Sequence, residues 1–251
     1  MTSRAWMGRL PEAAPLMLRL KADLHTHCAD DPRDRIDYSA EMLIDAVAQL
    51  NFDVLAIALH KRVGYTERLA AYARERGILL IPAIELRVEN KHVLVLNPDA
   101  EQVHAQTFAE LRRLGRRGAA FIAPHPFYPG RSCLHGRLVE NIDLFDGIEY
   151  CSLYLRGLNP NRKAVRVARR FGLPLIGTSD THAMPFNDST FSLVEAEEAS
   201  TEAVVDALRQ GRVSLMTRPR PVLPAALMVT YFLRDQLESL AGPFRQEAGP
   251  P

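Results

Sequence analysis

The sequence predicts a parallel α/β fold, and three observations carry that expectation. Seven short runs are almost continuously apolar, amphipathic segments lie between them, and most of the runs end in His, Asp or Glu. Uninterrupted apolar runs of about four to eight residues suit strands buried on both faces, as in a sheet flanked by helices. Strand–helix alternation admits an open doubly wound sheet or a barrel, and both gather the carboxyl ends of the strands on one rim.

The runs are "LRLKADLH" (18–25), "DVLAIALH" (53–60), "GILLIPAIE" (77–85), "HVLVLN" (92–97), "AAFIAPH" (119–125), "FDGIEYC" (145–151) and "LPLIGTSD" (173–180). Between them, "SAEMLIDAVAQL" opens on Ser39, whose hydroxyl suits an N-cap. "YTERLAAYARERG", "TFAELRRLGRRG" and "NRKAVRVARRFG" repeat the helical periodicity, with Gly77, Gly118 and Gly172 as C-terminal stops. No glycine-rich phosphate loop follows the first run, which removes the main support for a dinucleotide or nucleoside-triphosphate fold. After residue 190, "TFSLVEAEEASTEAVVDALRQGRVSLMTRP" predicts strand, helix and strand, a small appendage that closes the main domain. The expected division is 18–188 for the main domain, 189–220 for the appendage and 221–251 for an apolar helix and frayed tail, in one compact unit.

Composition narrows the partners. The 251 residues carry a formal net charge of +1, so bulk charge gives no case for duplex nucleic acid or an acidic membrane. The local basic runs, "LRRLGRR" (111–117) and "VRVARRFG" (165–172), recur at helical spacing and are expected to be solvated helix faces. Cys28, Cys133 and Cys151 are odd in number and form no C-x-x-C pair, which fits a reducing compartment and a cytoplasmic location. The N-terminus has no apolar core of signal-peptide length. "VLPAALMVTYFLRDQLESL" is apolar for about eleven residues, short of the roughly 20 that span a bilayer.

The chemistry sits at the strand ends. Run one ends in "DLHTH" with His25 and His27, run two in His60, run three in Glu85, run five in His125 and run seven in "SDTH" with Asp180 and His182. Five strands thus aim metal-ligating groups at one rim. Residues i and i+2 of a strand share a face, so His25 and His27 can grip one ion, and Asp180 with His182 repeats that spacing. Nitrogen and carboxylate donors suit zinc, manganese or iron, and the absence of cysteine ligands favours an open catalytic site over a closed structural one. Each piece alone has a plainer explanation, H-x-H and His60 above all; the five together do not. His104 and His135 stand apart, in a helix start and a polar loop.

"DLHTH", "VLAIALH", "IPAIEL", "APHPF" and "GTSDTH", in this order, resemble the motifs of the PHP (polymerase and histidinol phosphatase) domain over roughly residues 20 to 185. The strand–helix–strand segment with "RVSLMTRP" resembles the PHP-associated C-terminal region. The resemblance implies a distorted seven-stranded α/β barrel that holds two to three divalent ions and hydrolyses phosphoesters. It implies His25 and His27 on a first ion closed by Asp180, and Glu85 bridging to a second. His92, in "NKHVLVLN", matches a further family histidine and joins His125 on the second ion, although it begins its run rather than ending it. A third ion takes His60, His182 and an acid from "CADDPRDRIDYS": Asp31, with Asp30 and Asp34 as alternatives. The chain departs from the family at the second motif, usually "TDHD", where it has Ala58, Leu59, His60 and Lys61. The lost acid implies lost hydrogen-bonding support for an imidazole, and Lys61 adds a positive charge nearby.

The expected function is a metal-dependent phosphoesterase of the EC 3.1 class, acting on a mono- or diester through a metal-activated water, with Asp180, His182 and His125 as catalytic residues. A small phosphorylated substrate is the first expectation and a short nucleic acid the second. Arg131 could contact substrate phosphate, against the plainer expectation of a solvated loop residue. The rivals are a metal hydrolase of a non-phosphate bond and a barrel that binds or regulates without turnover.

Overall fold

The computed structural model describes residues 17–220. The apolar terminal helix expected within 221–251 lies outside the described residues. In chain order the elements are β1 (Leu18–Thr26), α1 (Ala40–Gln49), β2 (Val54–His60), α2 (Glu67–Arg74), β3 (Leu79–Val88) and β4 (Lys91–Leu96). There follow α3 (Phe108–Leu114), β5 (Ala120–Ala123), α4 (Gly136–Glu140), β6 (Gly147–Cys151), α5 (Asn161–Phe171), β7 (Leu175–Thr178), β8 (Thr190–Ala196), α6 (Thr201–Arg209) and β9 (Val213–Thr217). Each of the seven apolar runs lies on a strand.

The caps are local chemistry. Ser39, Thr66 and Ser200 accept hydrogen bonds from Met42 N, Leu69 N and Ala203 N at the starts of α1, α2 and α6. Thr107 and Glu110 form a reciprocal capping box on α3. α3 stops at Gly115 (φ 66°) rather than Gly118, and α5 stops at Gly172 (φ 70°) as expected.

All nine strands form one sheet in the order β7-β6-β5-β4-β3-β2-β1-β8-β9. The sheet curls until its β7 edge returns to β1, so the barrel is nearly closed. At the end of β1 and just past β7, Asp180 N donates to His25 O (2.9 Å) and His27 N to Thr181 O (3.3 Å). The expected count of seven strands is corrected to nine because the predicted appendage is not peripheral. β8 pairs antiparallel with the outer edge of β1, from Leu18↔Ala196 to Ala22↔Ser192, and β9 pairs with β8. An open strand edge is a row of unpaired amides and carbonyls, and β8 supplies their partners. β7 also approaches β8 closely: Ser192 Oγ accepts from Gly177 N (2.9 Å) and donates to Gly177 O (3.0 Å). A Cβ at Gly177 would collide with the Phe191 carbonyl.

β4 corrects the expectation of an all-parallel barrel core. It runs antiparallel to both β3 and β5. Only Glu89 and Asn90 separate it from β3, and both have positive φ (48° and 63°). Two residues allow a tight hairpin and no crossover helix, and two left-handed residues give the turn whose twist matches the strands.

The barrel interior has two layers. The lower is apolar: Leu20, Ala22 and Leu24 of β1, Val54, Ala56 and Ala58 of β2, Ile81 and Ala83 of β3, and Leu94 and Leu96 of β4 share one cluster, which α6 joins through Val204, Val205, Ala207 and Leu208. The upper layer continues the same inward rows. His60 follows Ala56 and Ala58, Glu85 follows Ile81 and Ala83, and His92 follows Leu96 and Leu94 at the two-residue period of a strand. Leu59 points the other way, into the cluster under α1 and α2.

Candidate metal centre

His25 and His27 reach the upper layer through an irregularity in β1. The β1–β2 register shifts between Asp23 and Thr26, so the inward row of Leu20, Ala22 and Leu24 hands over to the odd-numbered His25 and His27. Asp180 and His182 lie beyond the end of β7, on the loop that follows Thr178. His125 and Asp180 have φ of 27° and 49°, a region that non-glycine residues adopt at a cost of about 1–3 kcal/mol and that is common where function fixes the backbone.

The geometry brings all nine sequence-derived candidates together. Glu85 is the hub. Its Oε1 lies 2.7 Å from His92 Nδ1 and 3.0 Å from His125 Nε2, and its Oε2 lies 3.0 Å from His60 Nε2, 3.5 Å from His25 Nε2 and 3.6 Å from His27 Nε2. Asp180 Oδ1 stands 3.5 Å from His27 Nε2 and 3.8 Å from His25 Nε2. Asp31 Oδ2 accepts from His27 Nδ1 and His60 Nδ1, each at 3.0 Å, and from His60 N at 2.9 Å. The imidazole support that the Leu59 departure implied to be missing is therefore given to His60 by Asp31. The third-ion acid has a second contender, because His182 Nε2 faces Asp34 Oδ2 at 3.2 Å.

Electrostatics of the site follow from burial set against these pairings. Burial disfavours the charged form of Glu85, yet His92, His25 and His60 outweigh it and hold its carboxyl well below the usual range. Burial opposes the charge of His60 too, but Glu85 and Asp31 raise its pKa to about 10. At His92 burial wins over Glu85 and pushes the ring down to about 4. Burial also lifts Asp23 to about 7, against hydrogen bonds from Ser179 and the backbone N of His25.

Several donors lack the partners that burial demands, which is the test of whether a cation fits. Neither ring nitrogen of His92 has a hydrogen bond, and the 2.7 Å approach to Glu85 does not have the angle of one. Asp180 Oδ1 is buried and equally unpartnered. His25 Nδ1 and His27 Nδ1 are engaged by Glu149 and Asp31, which leaves the two Nε2 lone pairs facing each other at 3.1 Å. Lone pairs at that separation repel unless a positive charge lies between or beside them. His25, His27 and Asp180 form one donor set of suitable span, His60, Glu85 and His92 a second, and His27, Asp31, Asp34 and His60 a third. The residues fit divalent ions.

Glu149 was not foreseen. It is fully buried and accepts from His25 Nδ1 (2.9 Å), Thr178 Oγ1 and His125 N. It thereby fixes the tautomer of one candidate ligand and the left-handed backbone of another. The available signal was an acid inside an otherwise buried strand run, "GIEYC". Cys133 was passed over in the same way: its Sγ lies 3.4 Å from His125 Nδ1. Lys61 and Arg131 are exposed. His104 lies in a short 3-10 helix and His135 Nε2 pairs with Gly130 O (2.9 Å), so both stand outside the cluster as expected.

Comparison with known proteins agrees with this architecture. Residues 159–213 match the model of the PHP-associated family. Among solved structures, a two-domain protein from Bacteroides vulgatus containing a predicted PHP-like metal-dependent phosphoesterase superposes with a TM-score of 0.63 at 20% identity, covering 88% of this chain and 70% of that one. PsfC from Pseudomonas syringae gives 0.59 at 17% identity, with 88% and 99% covered. A lesion-specific endonuclease from Pyrococcus furiosus gives 0.55 at 13% identity, with 93% and 74% covered. Such identities establish a shared fold. None of the curated proteins matches the chain.

Proposed function

We propose that this chain is a PHP-domain protein, a reading supported by its match to the PHP-associated family over residues 159–213 and by its fold, and that it is a metal-dependent phosphoesterase. The observation that carries the proposal is a set of buried donors turned toward one another: Asp180 Oδ1 and both nitrogens of His92, which make no hydrogen bond, and the Nε2 atoms of His25 and His27, which face each other at 3.1 Å. His25, His27 and Asp180 would hold one ion and His60, His92 and His125 a second, with Glu85 between them; His182 with Asp34 or Asp31 would complete a third. Bound divalent ions supply Lewis acidity toward a phosphoryl oxygen and lower the pKa of water toward neutrality.

The chain's own residues do the rest. Glu149 and Asp31 hold the His25, His27 and His60 rings in the tautomers that present Nε2 inward. His182, the most exposed of the cluster imidazoles, stands at the mouth with Nδ1 3.6 Å from Asp180 Oδ1, where it can take or give a proton. The shared fold of the two-domain protein from Bacteroides vulgatus, which contains a predicted PHP-like metal-dependent phosphoesterase, supports the same reading. Three buried free cysteines support a reducing, cytoplasmic setting.

Hydrolysis of chromogenic phosphomono- and diesters by manganese- or zinc-loaded protein tests the proposal, run beside His125→Ala and Asp180→Ala. Turnover lost in both variants supports it. Turnover on carboxylic esters or amides alone moves the assignment to another hydrolase class, and no turnover with bound metal moves it to a binding protein.

A further inference from the structure

The charge balance of the whole chain conceals one element that is not balanced at all. α5 has six exposed positions, and five of them are Arg162, Lys163, Arg166, Arg169 and Arg170; the sixth is Phe171. At 100° per residue these five cations fill the entire outward arc, while Asn161, Ala164 and Ala168 face the sheet. The preceding loop adds exposed Arg156.

On the neighbouring α3 and α4 segments several surface arginines are matched. Arg112 pairs with Asp143 at 2.8 Å, Arg116 with Asp146 at 2.6 Å, Arg117 with Glu101, and Arg137 with Glu89. Among the described residues, none of the α5 cations or Arg156 forms an ion pair. Five like charges on an 11-residue helix repel one another, and a sequence that needed only solubility would have mixed in acids. The start of the face lies near the metal centre: Lys163 Nζ is 4.6 Å from the ring of Phe127, two residues from His125.

We propose that α5, with Arg156, is a polynucleotide-binding track that leads the phosphate backbone of a nucleic acid to the metal centre. The proposal rests on the phosphoesterase assignment and adds the substrate class. The helix is about 16 Å long, enough to meet two or three consecutive phosphates of a polynucleotide backbone. An anionic lipid surface has the same charge but not the same fit. A basic helix that lies on a bilayer needs a free apolar face, and Ala164, Val167 and Ala168 are already packed in the core.

The test is fluorescence anisotropy with a labelled 20-nucleotide single strand, titrated from low to physiological salt. Three proteins are compared: wild type, the α5 variant Arg166→Glu/Arg169→Glu/Arg170→Glu, and a control of equal charge change on other helices, Arg68→Glu/Arg74→Glu/Arg209→Glu. The expected result is binding with a log–log salt slope of about −2 or steeper, weakened at least tenfold in the α5 variant and retained in the control. The α5 variant keeps its rate on a small chromogenic phosphodiester within about twofold, because none of the three residues is part of the metal centre. Equal loss in α5 variant and control, unchanged binding in the α5 variant, or preference for phosphatidylserine vesicles over the oligonucleotide each overturns the proposal. The two assignments fail separately. Absent hydrolysis with α5-dependent binding sinks the phosphoesterase, and hydrolysis with α5-independent binding sinks the track.

Discussion

The two layers of the barrel interior are built on the same strands, at the same two-residue period, and differ in one respect. The lower layer satisfies itself, whereas the upper layer does not. Ala58, Ala83 and Leu94 are buried in one apolar cluster, and their side chains need nothing further. His60, Glu85 and His92, a single step along the same rows, bring polar groups together there, and neither ring nitrogen of His92 makes a hydrogen bond. One layer is stability and the other is capacity for a ligand, and substitutions should separate them.

The largest effect belongs to the upper layer. Asp180→Ala removes a carboxylate whose Oδ1 no hydrogen bond occupies and whose Oδ2 faces only the distant Cys151 thiol at 4.0 Å, so the fold loses little and the centre loses a proposed metal donor. We expect phosphodiester hydrolysis to fall on the order of 10³-fold, several kcal/mol of transition-state stabilisation, with bound metal reduced in elemental analysis. Leu94→Ala in the lower layer does the converse. It should lower stability by about 2–5 kcal/mol in urea unfolding, while the folded fraction keeps its specific activity. If Leu94→Ala abolished activity in fully folded protein, the separation of layers would be wrong.

Metal removal sharpens the same contrast. A chelator should lower the unfolding temperature, since ligand at 100 times its Kd contributes about 2.7 kcal/mol, and manganese or zinc should restore it. In the Asp180→Ala variant the chelator should shift the temperature less. Glu149→Gln comes next: it keeps the shape but trades a carboxylate for an amide beside His25 Nδ1 and His125 N. A 10–100-fold fall in metal affinity or activity, about 1.4–2.7 kcal/mol, is expected with unchanged circular dichroism. The smallest effect is Cys133→Ser, which leaves a hydrogen-bonding group near His125 Nδ1. Activity within about fivefold of wild type is expected, under ~1 kcal/mol.

Much of the upper layer could be read in the sequence because strand polarity puts residues such as His60, Glu85 and His125 at the ends of recognisable apolar runs. What could not be read was geometry carried by pairing. His92 looked misplaced only because β4 reads as another parallel strand until the Glu89–Asn90 turn reverses it. The β1 irregularity that turns His25 and His27 inward leaves no mark in "KADLHTH". Glu149 was hidden by its own burial within a strand run, and β8 looked like an appendage because nothing in "TFSLVEA" states which edge it will meet. The basic run of α5 was plain as composition, but whether each arginine finds an acid depends on the neighbouring loops.

The Glu89–Asn90 hairpin makes the site unusually sensitive to chain length at one point. Most connections here can lengthen outward into solvent without disturbing what they join. This one acts as a ratchet tooth: it sets the offset between Glu85 and His92, whose side chains share a face only in the present register. One added residue would advance β4 by one notch and turn His92 out of the barrel. The tolerance of the molecule to insertion should therefore vary sharply along the rim, with its tightest loop the least free to grow.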